Sequence, residues 1–351
     1  MTSAYCGKCF ERGATAVAKS IAEGERAVCE LCSKAGETWP IAVWAEALAD
    51  VVAMYEPQDG GTELGVELRD QWSIFSSRAT GDIDRFIDDL CQACSSTLRH
   101  TDGVALVEAA RAQDAWLHFR ETISRQRRWH SPVFVDAQRR LQLMVETRRD
   151  HLWPQTRDVF RARMCSDSRS RLNYRDLGAP PAGRATAGRA NSSGIPVLYA
   201  ATSELVAIYE SRPVRGATVA VAHLRPRSGR LRLLDMTSLA DVALNPFEAE
   251  ASANTLIELR VATDLGRIIG AEFSRPVRLG DDIHDYVPTQ YVAEYIAEQG
   301  YDGVLYDSSF GAIGGPDGAN LAIFDLRVLT VVQKAPKHFA VTGVAWETAP
   351  V

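Results

Sequence analysis

The chain has 351 residues, 46% hydrophobic and 24% charged, with 7 cysteines and a formal net charge of −6. That is long enough for two domains with sizeable cores, and the ordinary balance of residue types excludes disorder as the default state. The acidic balance argues against nucleic-acid binding through a general basic face, and no apolar run reads as a signal peptide or membrane span, so the expectation is cytoplasmic with no membrane partner.

Residues 1–40 carry Cys6-Gly7-Lys8-Cys9 and Cys29-Glu30-Leu31-Cys32. The spacing Cys6-x2-Cys9-x19-Cys29-x2-Cys32 matches a four-thiolate zinc ribbon, because each CxxC knuckle can fold around a tetrahedral ion. With all four positions filled by protein, the zinc is expected to be structural. The competing reading is a set of reduced, unliganded thiols in a flexible arm; redox chemistry would need only one CxxC.

Residues 41–151 read as helices. Ile41, Trp44, Ala45, Leu48, Val51, Val52 and Tyr55 recur at helical intervals before Pro57-Gln58-Asp59-Gly60-Gly61 breaks the pattern. Phe86, Ile87, Leu90 and Cys94 give a second face, Trp116, Leu117, Phe119 and Ile123 a third, and the basic run from Ala137 to Arg149 one more helix. Cys91 and Cys94 lie one turn apart in such a pattern and read as core cysteines. Arg125 and His130 form an Arg-x4-His that resembles the motif of HEPN-type helical ribonucleases; a solvated basic helix face is the alternative.

From about residue 152 to 351 the character changes. Short β-rich runs, Ile195 to Tyr199, Thr218 to Leu224, Leu231 to Leu234, Val304 to Tyr306 and Leu321 to Phe324, are bounded by Gly, Pro, Asp or Ser. Helical patterns at Ser203 to Glu210 and Thr289 to Gln299 interrupt them, and Gly178 to Gly188 reads as a surface loop. The boundary falls near Asp150–Pro154. Gly311-Ala312-Ile313-Gly314-Gly315 lacks the Lys and Ser or Thr of a Walker A loop and reads as a mobile loop, and no Rossmann fingerprint is present.

Within this segment Arg189-Ala190-Asn191-Ser192-Ser193-Gly194-Ile195-Pro196-Val197-Leu198-Tyr199, followed by Glu210, places an Arg on a Gly- and Ser-rich loop, a Tyr closing an apolar strand and a Glu in a helix. An anion clamp, an aromatic platform and one carboxylate suit a phosphate-bearing substrate with a cationic ring. Gln299-Gly300-Tyr301-Asp302-Gly303-Val304-Leu305-Tyr306-Asp307-Ser308-Ser309 and Gly318-Ala319-Asn320-Leu321-Ala322-Ile323-Phe324 follow. These blocks, in this order, resemble the RES domain over roughly residues 156–335. Arg161-Ala162-Arg163 and the stretch from Thr289-Gln290 through Ile296 fit the same pattern. Two departures are Ala190, where the family usually carries an aromatic, and a long insert between Glu210 and Ser308.

The resemblance implies an α+β chain with an ADP-ribosyltransferase-like split β-sheet domain, preceded here by the zinc ribbon and a HEPN-like helical domain. It implies NAD as a substrate that is consumed, with Arg189 gripping the pyrophosphate and Tyr199 facing the nicotinamide. Glu210 would stabilise the oxocarbenium-like centre, and Ser308 would hydrogen-bond the carboxamide or ribose. Arg161, Arg163, Ser309 and Asn320 would contact substrate, with Asn320 and Gln290 also open to structural roles at a turn and a helix start. The expected activity is NAD glycohydrolase or phosphorylase type, in a toxin or antiphage-defence effector with a regulatory partner or antitoxin and an open oligomeric state. The alternatives are protein ADP-ribosyl transfer, a HEPN ribonuclease centred on Arg125 and His130 with the RES part as sensor, and a silent nucleotide-binding module.

Overall fold

The computed structural model describes residues 3–107, 109–128, 130–167, 171–238, 244–248, 253–276, 282–310 and 318–343. The loop at Gly311 to Gly315 lies outside the described residues. The chain forms two compact units, Met1–Ala115 with Asp241–Leu265, and Trp116–Ala240 with Gly266–Val351. No helix among the described residues is long and apolar enough to cross a membrane.

The first unit contains β1 (Ala4–Tyr5), α1 (Ala14–Ile21), β2 (Glu25–Val28), β3 (Ala35–Pro40), α2 (Ile41–Ala53), β4 (Tyr55–Glu63), α3 (Leu64–Val66), α4 (Ile83–Ala93) and β5 (Gly103–Leu106), and the start of α5 (Ala109–Glu121). The small antiparallel sheet runs β1-β3-β2. The apolar periodicity of α2 buries Trp44, Leu48, Val51 and Val52, and that of α4 buries Phe86, Ile87, Leu90 and Cys91. Asp82 caps α4 by accepting from the Arg85 amide at 3.0 Å. Phe10 stacks on Trp44 with ring centroids 4.0 Å apart, at the centre of this core. Helix α2 ends at Ala53, ahead of the Pro57–Gly61 run expected to break it: Tyr55, read as part of the helical face, opens β4, and the run forms an irregularity in the β4–β5 pairing, with Gly60 at φ 74. Arg260 is buried between Glu67 (3.1 Å) and Asp264 (2.6 Å), while the Tyr55 hydroxyl donates to Glu67 at 2.9 Å.

The second unit contains α6 (Val133–Glu146), β6 (Asp150–Pro154), β7 (Val159–Met164), β8 (Leu198–Ala201), α7 (Glu204–Glu210), β9 (Thr218–Pro226), β10 (Arg230–Asp235), the end of α8 (Ala253–Ser274), α9 (Val287–Glu298), β11 (Gly303–Asp307), β12 (Ala319–Ile323), β13 (Leu329–Val331) and β14 (Lys337–Ala340). Its large sheet runs β13-β9-β7-β8-β12-β11-β10-β6, with β14 also on β9. Among the described strands only β10 and β11 pair in parallel. The sheet core holds Leu198, Ala220, Ala222, Leu233, Leu321 and Ile323. The sheet is nearly divided: β7 pairs with β9 along its whole length but with β8 only at Phe160↔Ala201. This mixed α+β architecture, with its parted sheet and its N-terminal four-cysteine cluster, is the fold class that the sequence predicts.

Two details differ from the sequence reading. Tyr199 is the second residue of its strand rather than the last, since Pro196 cannot donate to a ladder and the strand starts only at Leu198. The insert after Glu210 contains the 22-residue helix α8. Its glycines hide it, because Gly lowers helix propensity, yet both are demanded by packing. A Cβ at Gly266 would sit 2.4 Å from Arg148 Nε, and one at Gly270 would sit 2.3 Å from the Met236 carbonyl.

Candidate functional site

The site is built where β7 and β8 part. Glu210, the last residue of α7, accepts from Ser308 Oγ at 2.6 Å and from Asn320 Nδ2 at 2.6 Å, both on Oε1. Ser308 follows β11, Asn320 lies on β12, and both are buried. Ser308, not Ser309, is thus the serine that meets the carboxylate. Asn320, for which the sequence suggests a turn role, sits instead on a central strand and serves the carboxylate. Ser203 caps α7 by accepting from the Val206 amide at 3.2 Å, which starts the helix two turns before Glu210.

The loop bearing Arg189 is tied down by the residues around it. Tyr199 donates its hydroxyl to Asn191 Oδ1 at 2.7 Å and accepts from the Ala190 amide at 3.0 Å. Asn191 Nδ2 donates to the carbonyls of Thr186 (2.9 Å), Ser192 (3.1 Å) and Ile195 (2.9 Å). Gln290, inside α9, donates to the Gly188 carbonyl at 2.9 Å. Tyr199 is therefore anchored by its hydroxyl, with its phenol pushed up to about 12, chiefly by burial. The buried Arg189 guanidinium lies 5.0 Å over the Tyr286 ring.

Arg161, on β7, donates through Nη1 to the Tyr199 carbonyl at 2.8 Å across the parting of the strands. Its Nε is buried and without a hydrogen-bond partner among the described residues. Desolvation, then the neighbouring charge of Arg163, pulls the Arg161 guanidinium below its usual range. Arg163 is exposed and donates to the Asp176 carbonyl at 2.9 Å.

Two cavities meet at Glu210. One, of about 490 Å³, is lined by Arg161, Arg163, Ala201 and Ala207 among others; the second, of about 220 Å³, by Arg189, Phe273, Tyr286 and Ser309. Tyr199, Glu210, Tyr306 and Asn320 border both. Tyr306 and Tyr286 carry no role in the sequence reading. Tyr306 lies in an apolar run that the sequence reads as a strand, and its phenol is raised well above its usual value by burial and then by Tyr199 and Glu210.

Cys6, Cys9, Cys29 and Cys32 converge in the first unit, with all sulfurs within 4.8 Å of one another. The Sγ–Sγ distances of 3.6 Å for Cys6–Cys9, 3.7 Å for Cys6–Cys32 and 3.7 Å for Cys9–Cys29 can be tested against an ion. A tetrahedron with zinc–sulfur bonds of about 2.3 Å has edges of about 3.8 Å. The donor set fits a divalent metal of that size. The Cys6 amide donates to Cys29 Sγ at 3.3 Å, and hydrogen bonds from the Cys9 thiol and nearby amides pull the Cys29 thiol below its usual range. Cys91 is buried in α4, and Cys94 donates to the Ala45 carbonyl at 3.6 Å.

Arg125 and His130 are not brought together on a helix face. The helical turns end at Gln126, Arg125 lies near Glu121 at 3.9 Å, and His130 has φ 58 beyond the helix. Both are exposed, and Trp129 between them lies outside the described residues.

The RES domain family model matches residues 158–342. Among solved structures, a chain from the M. tuberculosis MbcT–MbcA toxin–antitoxin complex is similar at 15% identity, covering 56% of this chain and 91% of that chain with a TM-score of 0.31. No curated protein matches the chain. The matched span takes in more than half of the sequence and every residue of the Glu210 site, and the chain belongs to the RES domain family.

Proposed function

We propose that the second unit cleaves NAD between nicotinamide and ribose, with water as the first-choice acceptor. The observation that carries this reading is one carboxylate, Glu210, clamped through Oε1 at the meeting of two cavities that hold Arg161 and Arg189. Nicotinamide leaves as a neutral molecule, so no general acid is required. What must be stabilised is the positive charge that develops on the ribose, and a fixed carboxylate does this without reorganising. Clamping Oε1 leaves Oε2 outside the clamp to face the ribose or its incoming nucleophile.

The two arginines take the pyrophosphate: Arg189 is steadied by its aromatic neighbour and Arg161 is desolvated and short of a partner. Tyr199 and Tyr306 supply ring surface for the nicotinamide, with Arg163, Ser309 and Asn320 completing the contacts. The overall reaction consumes NAD and water and yields nicotinamide, ADP-ribose and a proton. Inorganic phosphate or a protein side chain in place of water gives the phosphorylase or transferase form of the same chemistry. The family resemblance supports a toxin or defence effector restrained by a regulatory partner or antitoxin. In the first unit, Cys6, Cys9, Cys29 and Cys32 hold a structural zinc.

The test is nicotinamide release from NAD by the full chain, with acceptors varied. Glu210→Gln is expected to lower kcat by about a hundredfold or more, the scale on which a fixed electrostatic stabiliser acts. Identification of the co-product names the acceptor. Undiminished release from Glu210→Gln would refute the assignment.

A further inference from the structure

Glu210 stands at the far end of a short lever, where Ser308 and Asn320 receive it. Helix α7 has two turns, and the apolar cluster that seats it is small: Ala201, Val206 and Ala207, with Phe160 and Ala162 against them. At about 1.5 Å per residue, Glu204 and Glu210 are roughly 9 Å apart along the axis, so a tilt of about 10° at one end moves the other by about 1.5 Å. Misplacement on that scale is enough to cost an enzyme two orders of magnitude in rate.

The other end of the lever carries a polar anchor. Glu204, the first residue of α7, places Oε1 against His223 Nε2 and also receives Lys337 Nζ at 2.7 Å. His223 is buried on β9, in step with Val219 and Val221 along the strand. Its Nδ1 is 3.7 Å from Asp158 Oδ2 and 3.3 Å from Gln333 Nε2, and its ring meets Phe160 edge to face at 4.8 Å. Asp158 is held in turn by Arg225 at 2.6 and 2.9 Å. Carboxylates thus face the imidazole from α7 and from the start of β7, with Lys337 of β14 and Arg225 of β9 behind them.

A buried imidazole costs desolvation that a third valine in this row would not, and it needs partners to offset that cost. Glu204 is already well placed at a helix N-terminus and gains no cap from His223. What the pair adds is a fixed attachment of α7 to β9.

We propose that His223 is a positioning residue for this reaction: through Glu204 it fixes the tilt of α7, and so delivers Glu210 to Ser308 and Asn320. The inference rests on the reading of Glu210 given above. His223 does not line either cavity, and the role proposed for it runs through the helix.

Nicotinamide-release kinetics on a double-mutant cycle test it. His223→Ala is expected to lower kcat ten- to a hundredfold with KM little changed, because the carboxylate acts in the transition state. His223→Gln, whose amide can still donate to Glu204, should recover most of that loss. In the Glu210→Gln background, His223→Ala should cost nothing further, since the group it positions is gone. Equal losses in both backgrounds, or a loss expressed in KM alone, would overturn the tether while leaving the role of Glu210 intact. Full activity of Glu210→Gln would overturn the underlying reading and the tether together. Should His223→Ala lose its near-UV signal, Glu204→Ala cuts the same attachment from the partly exposed side, with the same expectations.

Discussion

Gly188 decides how closely Tyr199 can approach the Arg189 loop. A Cβ there would lie 2.5 Å from the Tyr199 hydroxyl and 2.8 Å from Asn191 Oδ1, the two atoms that hold the loop. Gly188→Ala is therefore expected to destabilise by about 1–3 kcal/mol, as overpacking does, and to displace Arg189. A rise in KM for NAD together with a lower melting temperature would show it; unchanged kinetics would mean that the loop does not position substrate. At this scale the sequence was legible where spacing is rigid. Arg189, Tyr199, Glu210 and Ser308 all reach one locality. It was illegible where a role depends on contacts across the chain: Asn191 organises the loop through three carbonyls, and Asn320 reaches a carboxylate 110 positions away.

Strand β10 shows how an element end is fixed by charge. Asp235 is buried at its last position, and its Oδ1 accepts from the Thr237 amide at 3.0 Å and hydroxyl at 2.7 Å; His151 Nδ1 lies 3.8 Å from Oδ2. Burial alone would raise this carboxyl, but the contacts from His151 and Thr237 outweigh it and leave it below its usual value. A depressed folded-state pKa stabilises above the unfolded value of about 3.9, and this stability is lost as pH falls through the lower folded value. Asp235→Asn should cost about 1.5–3 kcal/mol at pH 7, the worth of hydrogen bonds to a charged group. Below pH 4 the gap between the two proteins should begin to narrow, so urea midpoints should lie closer together at pH 3 than at pH 7. Parallel midpoints at both would refute it. Among the elements, β8 to β12 were partly visible as apolar runs between turn residues. Helix α8 was not, because its interior glycines answer to Arg148 and Met236, which no local pattern announces.

For the molecule as a whole, the proposed zinc at Cys6, Cys9, Cys29 and Cys32 makes the first unit the part whose stability would hang on a metal. Structural zinc in small thiolate sites contributes apparent free energies of about 10–16 kcal/mol, as much as a whole domain's net stability of about 5–15 kcal/mol. Prolonged chelation is expected to remove one zinc per chain and to unfold the region around β1, β2 and β3. Elemental analysis and circular dichroism follow both. Metal-free purified protein with an unaltered melt would refute the zinc assignment. The cysteine spacing made the convergence of these four thiols readable, because such a cluster, unlike a cleft, needs few residues and fixed intervals.

The order in which the site's parts emerge from the ribosome has a consequence of its own. Glu210 is made long before its partners: Ser308 comes 98 positions later and Asn320 comes 110 later. At synthesis rates of about 5–20 residues per second, the carboxylate waits roughly 5–20 s for its clamp. A nascent or truncated chain ending anywhere before Asn320 has the glutamate without the strand that aims it. On the proposed reading, the NAD-cleaving site stays incomplete until synthesis has passed Asn320, and a chain interrupted before that point leaves behind no complete site.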